Sequence, residues 1–392
     1  MNKFLEEAKT MQDELTAFRR HIHANAEVGL DLPKTTAFVE EKLRSFGYDP
    51  VLIGGGIVCT CGKDGKVIML RADMDALPQK EVSGLDFACL TGTACHSCGH
   101  DCHTAMLLGA AKLLKDHESE LKGTVKFVFQ PGEETLRGSR QMIDAGVLEN
   151  PKVDVGMGLH MNFGNVGPYD PAVGTMLYAD SMASADEFRI TLKGRSAHGA
   201  TPEKGISAIS AGAAIVEAVQ QLTALEISCW EPVVISFGEF KSGQAANIVP
   251  GDAVLTGSIR TFSREVRKTI KEKFKTTCIR TAESRRAECT VEFPNEIGPN
   301  INSPELTEEM VGYCDEVAER IIHMKPINGS EDFASYGEYI PTFFANIGAG
   351  GPKQGYMYSM HDPHATIDES ALPYGTAILA NCASKWLSSH AE

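Results

Sequence analysis

The chain has 392 residues, a length that suits two or three domains and a large buried core. Its 43 % hydrophobic content is ordinary for globular protein, and 52 acidic against 37 basic side chains leave a net charge of −15. That balance argues against nucleic acid or an anionic membrane as the main partner, because both demand a positive surface.

The 11 cysteines are odd in number and scattered along the chain. The start, Met1-Asn2-Lys3-Phe4-Leu5-Glu6-Glu7, is acidic and amphipathic and lacks the apolar core of a signal peptide. No stretch reads as apolar enough to span a bilayer. These features predict a cytoplasmic protein with reduced thiols, where cysteine serves metal binding sooner than disulfides.

In chain order, Phe4, Leu5, Ala8, Met11, Leu15 and Phe18 fall at helical spacing and predict an opening helix. A second amphipathic helix is expected over residues 35–46. The run Val67-Ile68-Met69-Leu70 reads as a buried strand ending in Arg71-Ala72-Asp73-Met74-Asp75. A Cys/His segment follows, then a helix over 104–115, with a start signal at Asp101. Residues 124–130 form a strand that ends at Pro131-Gly132-Glu133-Glu134, and 153–159 form one that ends at His160. The interior alternates differently: strand 187–193, helix 206–222, strands 233–240 and 253–260, helix 266–279, strand 289–293. That βαββαβ order suits a small ferredoxin-like domain, with 294–300 as a linker-like exit. A last strand is expected over 341–347, before a Gly-rich segment that leads to His361.

The fold class is therefore α/β. A catalytic domain with a mainly parallel central sheet flanked by helices spans residues 1–183 and 297–392, and an inserted ferredoxin-like α+β domain spans 184–296. In open α/β sheets a ligand site lies beyond the carboxyl ends of the strands. Residues 71–75, Glu133-Glu134 and His160 each follow such an end.

Their chemistry points to a metal. Cys95-His96-Ser97-Cys98-Gly99-His100-Asp101-Cys102-His103 packs three cysteines and three histidines into nine residues, and Cys98 and His100 precede a helix start, where a thiolate is favoured. Cys95 and Cys102 read as small buried thiols. Adjacent side chains on extended backbone point opposite ways, so one of Glu133 and Glu134 suits a metal and the other proton transfer. Asp73 and Asp75 leave one strand on the same face, where either can orient a ligand histidine, and Asp101 is a further supporting carboxylate. His361-Asp362-Pro363-His364 offers two imidazoles. His198, Asn247 and Arg260 carry no signal by themselves.

These motifs in this order resemble the M20 metallopeptidase family, specifically its amidohydrolase branch of hippurate hydrolases, N-acyl-amino-acid deacylases and auxin-conjugate hydrolases. The similarity runs through His21-Ile22-His23, Arg71-Ala72-Asp73-Met74-Asp75-Ala76-Leu77-Pro78, Cys98-Gly99-His100-Asp101, Phe129-Gln130-Pro131-Gly132-Glu133-Glu134, Gly158-Leu159-His160, Ser196-Ala197-His198, Gly329-Ser330-Glu331-Asp332-Phe333 and His361. The resemblance implies Cys98, His100, Glu134, His160 and His361 as ligands to two divalent cations, Mn²⁺ or Zn²⁺ first and Co²⁺ or Ni²⁺ next. It implies Glu133 as general base and acid, and His198, from a lid domain that also dimerises, as the oxyanion donor. Asn247 and Arg260 resemble the family's substrate contacts. The implied reaction is hydrolysis of the amide in a small N-acyl amino acid, in a homodimer or homo-oligomer. Cys95, Cys102 and Ala26 depart from the family pattern without removing a ligand or the base.

Two other readings are kept. One is a dipeptidase or N-acetyl-amino-acid deacetylase of the same family. The other is an iron–sulfur or structural zinc protein built on Cys95-x2-Cys98-x3-Cys102, which leaves Glu133, His160 and His361 without a role. The acyl group, the amino acid and the metal are not specified by the sequence.

Overall fold

Four apolar runs organise the first part of the structure, a computed structural model that describes residues 2–391. Val67–Asp73, Thr124–Gln130, Val155–Asn162 and Thr342–Gly348 are buried along their length, apart from half-buried Thr124. Strands covered on both faces need such continuous apolar sequence. They lie side by side and parallel at the centre of an eight-stranded sheet. The hairpin Val51–Ile53 and Gly56–Gly62 adds antiparallel strands on one side. Thr175–Tyr178 and Arg320–His323 complete the other, the first antiparallel to Thr342–Gly348 and the second parallel to the first. The sheet is thus mainly parallel. The sequence reading missed the hairpin, although Gly54-Gly55, with φ of 56° and 82°, supplies the two left-handed positions that a tight two-residue turn requires.

The helices Gln12–Ala24, Pro33–Ser45, His100–Asp116 and Leu372–Ser389 pack with this sheet into one core. The expected opening helix is in fact two, Lys3–Thr10 and Gln12–Ala24, broken at Met11. There the Met11 N–H reaches back only three residues, to the Ala8 carbonyl, a tightening common at helix ends.

Contacts divide the chain into two units, each with its own core. The first comprises Met1–Asp180, Ile301–Lys325 and Ser335–Glu392, and the second comprises Ser181–Asn300 and Pro326–Ala334. The second unit has a four-stranded antiparallel sheet in the spatial order Val233–Ser242, Asp252–Thr261, Ala185–Lys193, Glu288–Ile297. Helices Ala208–Leu225 and Arg264–Ser284 supply Ile215, Val219, Ile270 and Phe274 to its core.

Two expectations change here. Residues 294–297 are strand and not linker, because Pro294 lies on an edge strand at a register shift between Glu292 and Asn295, where a missing N–H is tolerated. And one segment, Ala208–Leu225, is long and apolar enough to cross a membrane by length and composition. Its Ala211, Ile215, Val219 and Leu222 nevertheless recur at helical spacing and are buried in the second unit's core.

Candidate metal centre

Parallel pairing brings the four central carboxyl ends to one edge of the sheet, and loops from that edge carry the polar residues. Cys98 and His100 flank Gly99, which takes φ 93° and caps the helix His100–Asp116. A Cβ at Gly99 would sit 3.2 Å from Met161 Cβ and 3.4 Å from Phe163, so the strained φ and the tight packing both select glycine. The helix begins one residue before the predicted Asp101. His361 also takes a left-handed backbone, φ 67°, a sparsely populated conformation for a side chain with a Cβ. Its loop is anchored because the His361 N–H donates to the Ser97 carbonyl (2.9 Å) and Ser359 Oγ donates to the Asn165 carbonyl (2.8 Å).

Five side chains converge. Cys98 Sγ lies 3.5 Å from His160 Nε2 and 3.3 Å from His361 Nε2. His361 Nε2 lies 3.4 Å from Glu134 Oε1, and His100 Nε2 is 4.0 Å from the same oxygen. Cys98, His100 and His160 form one set of mutually close donor atoms, and Cys98, Glu134 and His361 form another, with the thiol shared. Ligands about 2.0–2.3 Å from one ion in tetrahedral array stand roughly 3.3–3.8 Å apart, which the shorter of these separations match. Glu133 lies against the same imidazole, its Oε2 3.9 Å from His100 Nε2.

Two buried atoms of this cluster lack a hydrogen bond. His100 Nε2 and Glu134 Oε1 are shielded from solvent and make no hydrogen bond, which is costly for groups of this polarity. His100 Nδ1–H donates to the Asp75 carbonyl (2.8 Å), and His160 Nδ1–H donates to the Met161 carbonyl (2.7 Å). Each ring therefore turns its Nε2 towards the other donors, the arrangement metal-binding histidines use. The donor set of one thiol, three imidazoles and a carboxylate fits a divalent transition-metal cation.

Electrostatics agree. Burial pushes the Cys98 thiol up, and a cation is what would make it a thiolate. Burial opposes a proton on His100, but Asp73 and Cys98 overcome it and hold that pKa well above the usual value, so a cation at Nε2 must displace a proton. Burial pushes His160 well below its usual range, with His103 adding to the effect, so it is neutral and ready to ligate. For Glu134, burial raises the pKa, but His361 and His100 bring it below the ordinary value.

The supporting carboxylates divide their roles. Asp75 Oδ1 accepts the Glu133 N–H (2.9 Å) and Oδ2 accepts the Glu134 N–H (3.1 Å). Asp73 accepts from His103 Nδ1 (2.6 Å) and from Arg71 Nη1 (2.7 Å). It is held well below the carboxylate range, because His100, Arg71 and His103 outweigh its burial. Asp101 Oδ2 accepts from Arg19 Nε (2.7 Å) and His23 Nδ1 (2.8 Å), while His23 Nε2 meets Glu81 (2.9 Å). This ionic cluster anchors the start of the helix. The engagement of His103, and of Arg19 and His23, was not read from the sequence; the only signal for His23 and His103 was their place in motifs already noted, and Arg19 carried none.

Cys95 and Cys102 are buried, and neither joins a set of three close metal donors among the described residues. Burial pushes Cys95 up to about 12 and Cys102 well above its usual value. His198, Asn247 and Arg260 belong to the second unit. There Ala197–His198 pairs with Ile248–Val249, the Gly199 N–H donates to the Asn247 carbonyl (2.7 Å), and the Ala200 N–H donates to His198 Nδ1 (3.1 Å). His198 and Asn247 are exposed neighbours, while Arg260, on the strand Asp252–Thr261, donates to Ser330 Oγ (3.4 Å).

The pattern that defines peptidase family M20/M25/M40 matches residues 69–385. An IAA-amino acid hydrolase ILR1-like 4 of Arabidopsis thaliana is 33 % identical over 98 % of this chain and 89 % of its own. An N-acetyl-L-cysteine deacetylase of Bacillus subtilis is 32 % identical over 98 % of this chain and 90 % of its own. Among solved structures, a dinuclear metal-binding peptidase of the M20 family from Bacillus subtilis superposes with a TM-score of 0.83 at 30 % identity, covering 97 % of this chain and 99 % of its own. The chain belongs to peptidase family M20/M25/M40 and is one of its metallo-hydrolases acting on amide bonds.

Proposed function

We propose that this enzyme hydrolyses the amide joining an acyl group to an amino acid, with two divalent cations held by Cys98, His100, Glu134, His160 and His361. The observation that carries the reading is the pair of donor sets sharing the Cys98 sulfur, with Glu133 beside them. When bound, the cations would acidify a water and polarise the scissile carbonyl. Glu133 is the one carboxylate of the pair not assigned to a cation. It accepts the proton of the attacking water and returns it to the leaving amine. Asp75 holds the peptide of that residue in place. His198 accepts the Ala200 amide at Nδ1, which leaves Nε2 as the nitrogen to donate to an oxyanion. Asn247 and Arg260 are assigned to substrate binding. The relatives named for indoleacetyl and acetyl conjugates support an acyl-amino-acid substrate. Mn²⁺ or Zn²⁺ is the expected metal.

The same reading places the enzyme in the cytoplasm, where its eleven free thiols stay reduced. It also makes the enzyme a homodimer through the second unit, whose edge strand Val233–Ser242 exposes Val234 and Phe240. Sedimentation tests the dimer.

The test of function is metal-stripped protein reloaded with Mn²⁺, Zn²⁺, Co²⁺ or Ni²⁺ and assayed on acetyl-, benzoyl- and indoleacetyl-amino acids and on dipeptides. Glu133→Gln should lower turnover by about 10²–10⁴-fold with metal content unchanged, and His198→Ala by about a hundredfold or more. Full turnover in Glu133→Gln removes the general-base assignment. Preference for dipeptides over every acyl-amino acid moves the substrate to the peptidase side of the family.

A further inference from the structure

Both buried ligand imidazoles owe their orientation to backbone carbonyls, but the two are anchored differently. For His160 the carbonyl is that of its own neighbour, Met161, so the ring is only as well aimed as that residue is fixed. Met161 lies near the end of the strand Val155–Asn162, which pairs with Thr342–Gly348, and its own N–H is held by a side chain, donating to His103 Nε2 at 2.7 Å. The other nitrogen of that ring, Nδ1, donates to Asp73 Oδ1 at 2.6 Å, and Asp73 Oδ2 accepts from Arg71 Nη1 at 2.7 Å. His103 is buried, and its ring lies 4.3 Å from that of His160, centroid to centroid, at 61°. The junction is tight, since a Cβ on Gly99 would stand 3.2 Å from Met161 Cβ and 3.6 Å from His103 Nε2.

His103 is close enough to Asp73 and His100 to count with them as three metal donors. Its hydrogen bonds give it another task. A ring nitrogen that accepts an amide hydrogen carries no proton, so the Nδ1 that faces Asp73 holds the proton and Nε2 has its lone pair on Met161. Neither nitrogen is left for a cation.

We infer that His103 is a positioning residue for His160: it holds Met161, whose carbonyl aims the His160 ring, and it is itself oriented by Asp73 and Arg71. The inference rests on the assignment of His160 as a ligand. Partners one step outside a metal's ligands typically account for about 10–100-fold in metal affinity, and that is the effect expected here.

The experiment uses full-length protein, stripped by chelator and titrated with Co²⁺, read by visible absorption, with melting of the metal-free form followed by circular dichroism. His103→Gln puts an acceptor oxygen near the position of Nε2 and keeps the Met161 contact. His103→Asn puts its polar atoms near Nδ1 and keeps only the Asp73 contact. His103→Asn should weaken one Co²⁺ site by about 10–100-fold and change its absorption band, His103→Gln should recover most of that loss, and the two metal-free proteins should melt alike. Wild-type affinity in His103→Asn overturns the inference. So do equal losses in both variants matched by equal drops in melting temperature, which would make His103 a packing residue only. His160→Ala separates the levels: if it binds Co²⁺ like wild type, the ligand assignment itself fails, whereas loss there without loss in His103→Asn strikes the positioning role alone. Imidazole ¹⁵N shifts of the wild-type protein serve where a variant does not fold. A protonated Nδ1 and bare Nε2 on His103, unmoved by metal, are expected; a metal-induced shift at its Nε2 would make it a ligand and end the inference.

Discussion

Asp75 fastens three parts of the centre with three oxygens: its carbonyl orients His100, and its two carboxylate oxygens each take an amide of Glu133 and Glu134. Asp75→Asn keeps the shape but turns an NH₂ towards one of those amides, leaving a buried donor without an acceptor, at about 1–3 kcal/mol. Because Glu133 moves with its peptide, turnover should fall by about 10²-fold while metal content holds; unchanged turnover would show that the peptide is fixed by something else. His23 gives a second test. Burial lowers its pKa, but the hydrogen bonds to Asp101 and Glu81 prevail and raise it above the usual value. A histidine whose folded pKa exceeds its unfolded one, about 6.5, contributes its full stability below that pH and loses it as pH rises through the folded value. The gap in melting temperature between wild type and His23→Gln should therefore be widest near pH 5.5 and narrow towards pH 9. A gap that widens with pH would mean that His23 is buried as a neutral ring.

At the level of elements, the helix His100–Asp116 decides how rigidly the centre is held. It is buried on almost every side, so its neighbours must come close, and Gly109 is where they do. A Cβ there would lie 2.5 Å from Leu15 Cδ2 and 2.9 Å from Thr376 Cγ2. Gly109→Val adds branched bulk between Gln12–Ala24 and Leu372–Ser389; overpacking of about 1–3 kcal/mol exceeds the gain in helix propensity of under about 1 kcal/mol. The melting temperature should drop by several degrees, and an unchanged value would mean that the helices slide apart freely. Elements like this one were legible where sequence supplies both a period and a stop. Thr124–Gln130 is an apolar run ended by Pro131, and its bounds are those expected. Glu133, Glu134 and His160 were legible as candidates because strand ends in a parallel sheet converge, and Cys98 and His100 because they stand in a segment dense in cysteine and histidine just before a helix start. What the sequence could not carry is direction. That Asp75 serves both glutamates with its side chain and His100 with its carbonyl, or that His103 bonds an amide, depends on rotamers and tautomers settled only by packing. Short strands such as Thr175–Tyr178 and Arg320–His323 were missed because four residues give no usable period.

For the whole molecule, the division into two units sets where metal should matter. Cys98, His100, Glu134, His160 and His361 all lie in the first unit, whose core joins the central strands to the helix His100–Asp116. The second unit has a separate core built around Phe188, Ile215, Leu255 and Phe274, with none of those five residues. A ligand that binds only the folded state stabilises it by about 2.7 kcal/mol at a hundred times its dissociation constant, and that free energy is felt by whatever must open for the ligand to leave. Hydrogen exchange compared between metal-free and metal-loaded protein should thus slow around residues 71–75, 95–103, 130–136, 158–163 and 359–363, while the strands Ala185–Lys193 and Asp252–Thr261 exchange at unchanged rates. Acid should reverse the protection, because the raised pKa of His100, set by Asp73 and Cys98 against its burial, makes protons compete with the cation at Nε2. Equal slowing in both units would mean that the second shares the metal-dependent stability even though it holds none of the five proposed ligands, and the assignment of metal-linked stability to the first unit's core would then have to be abandoned.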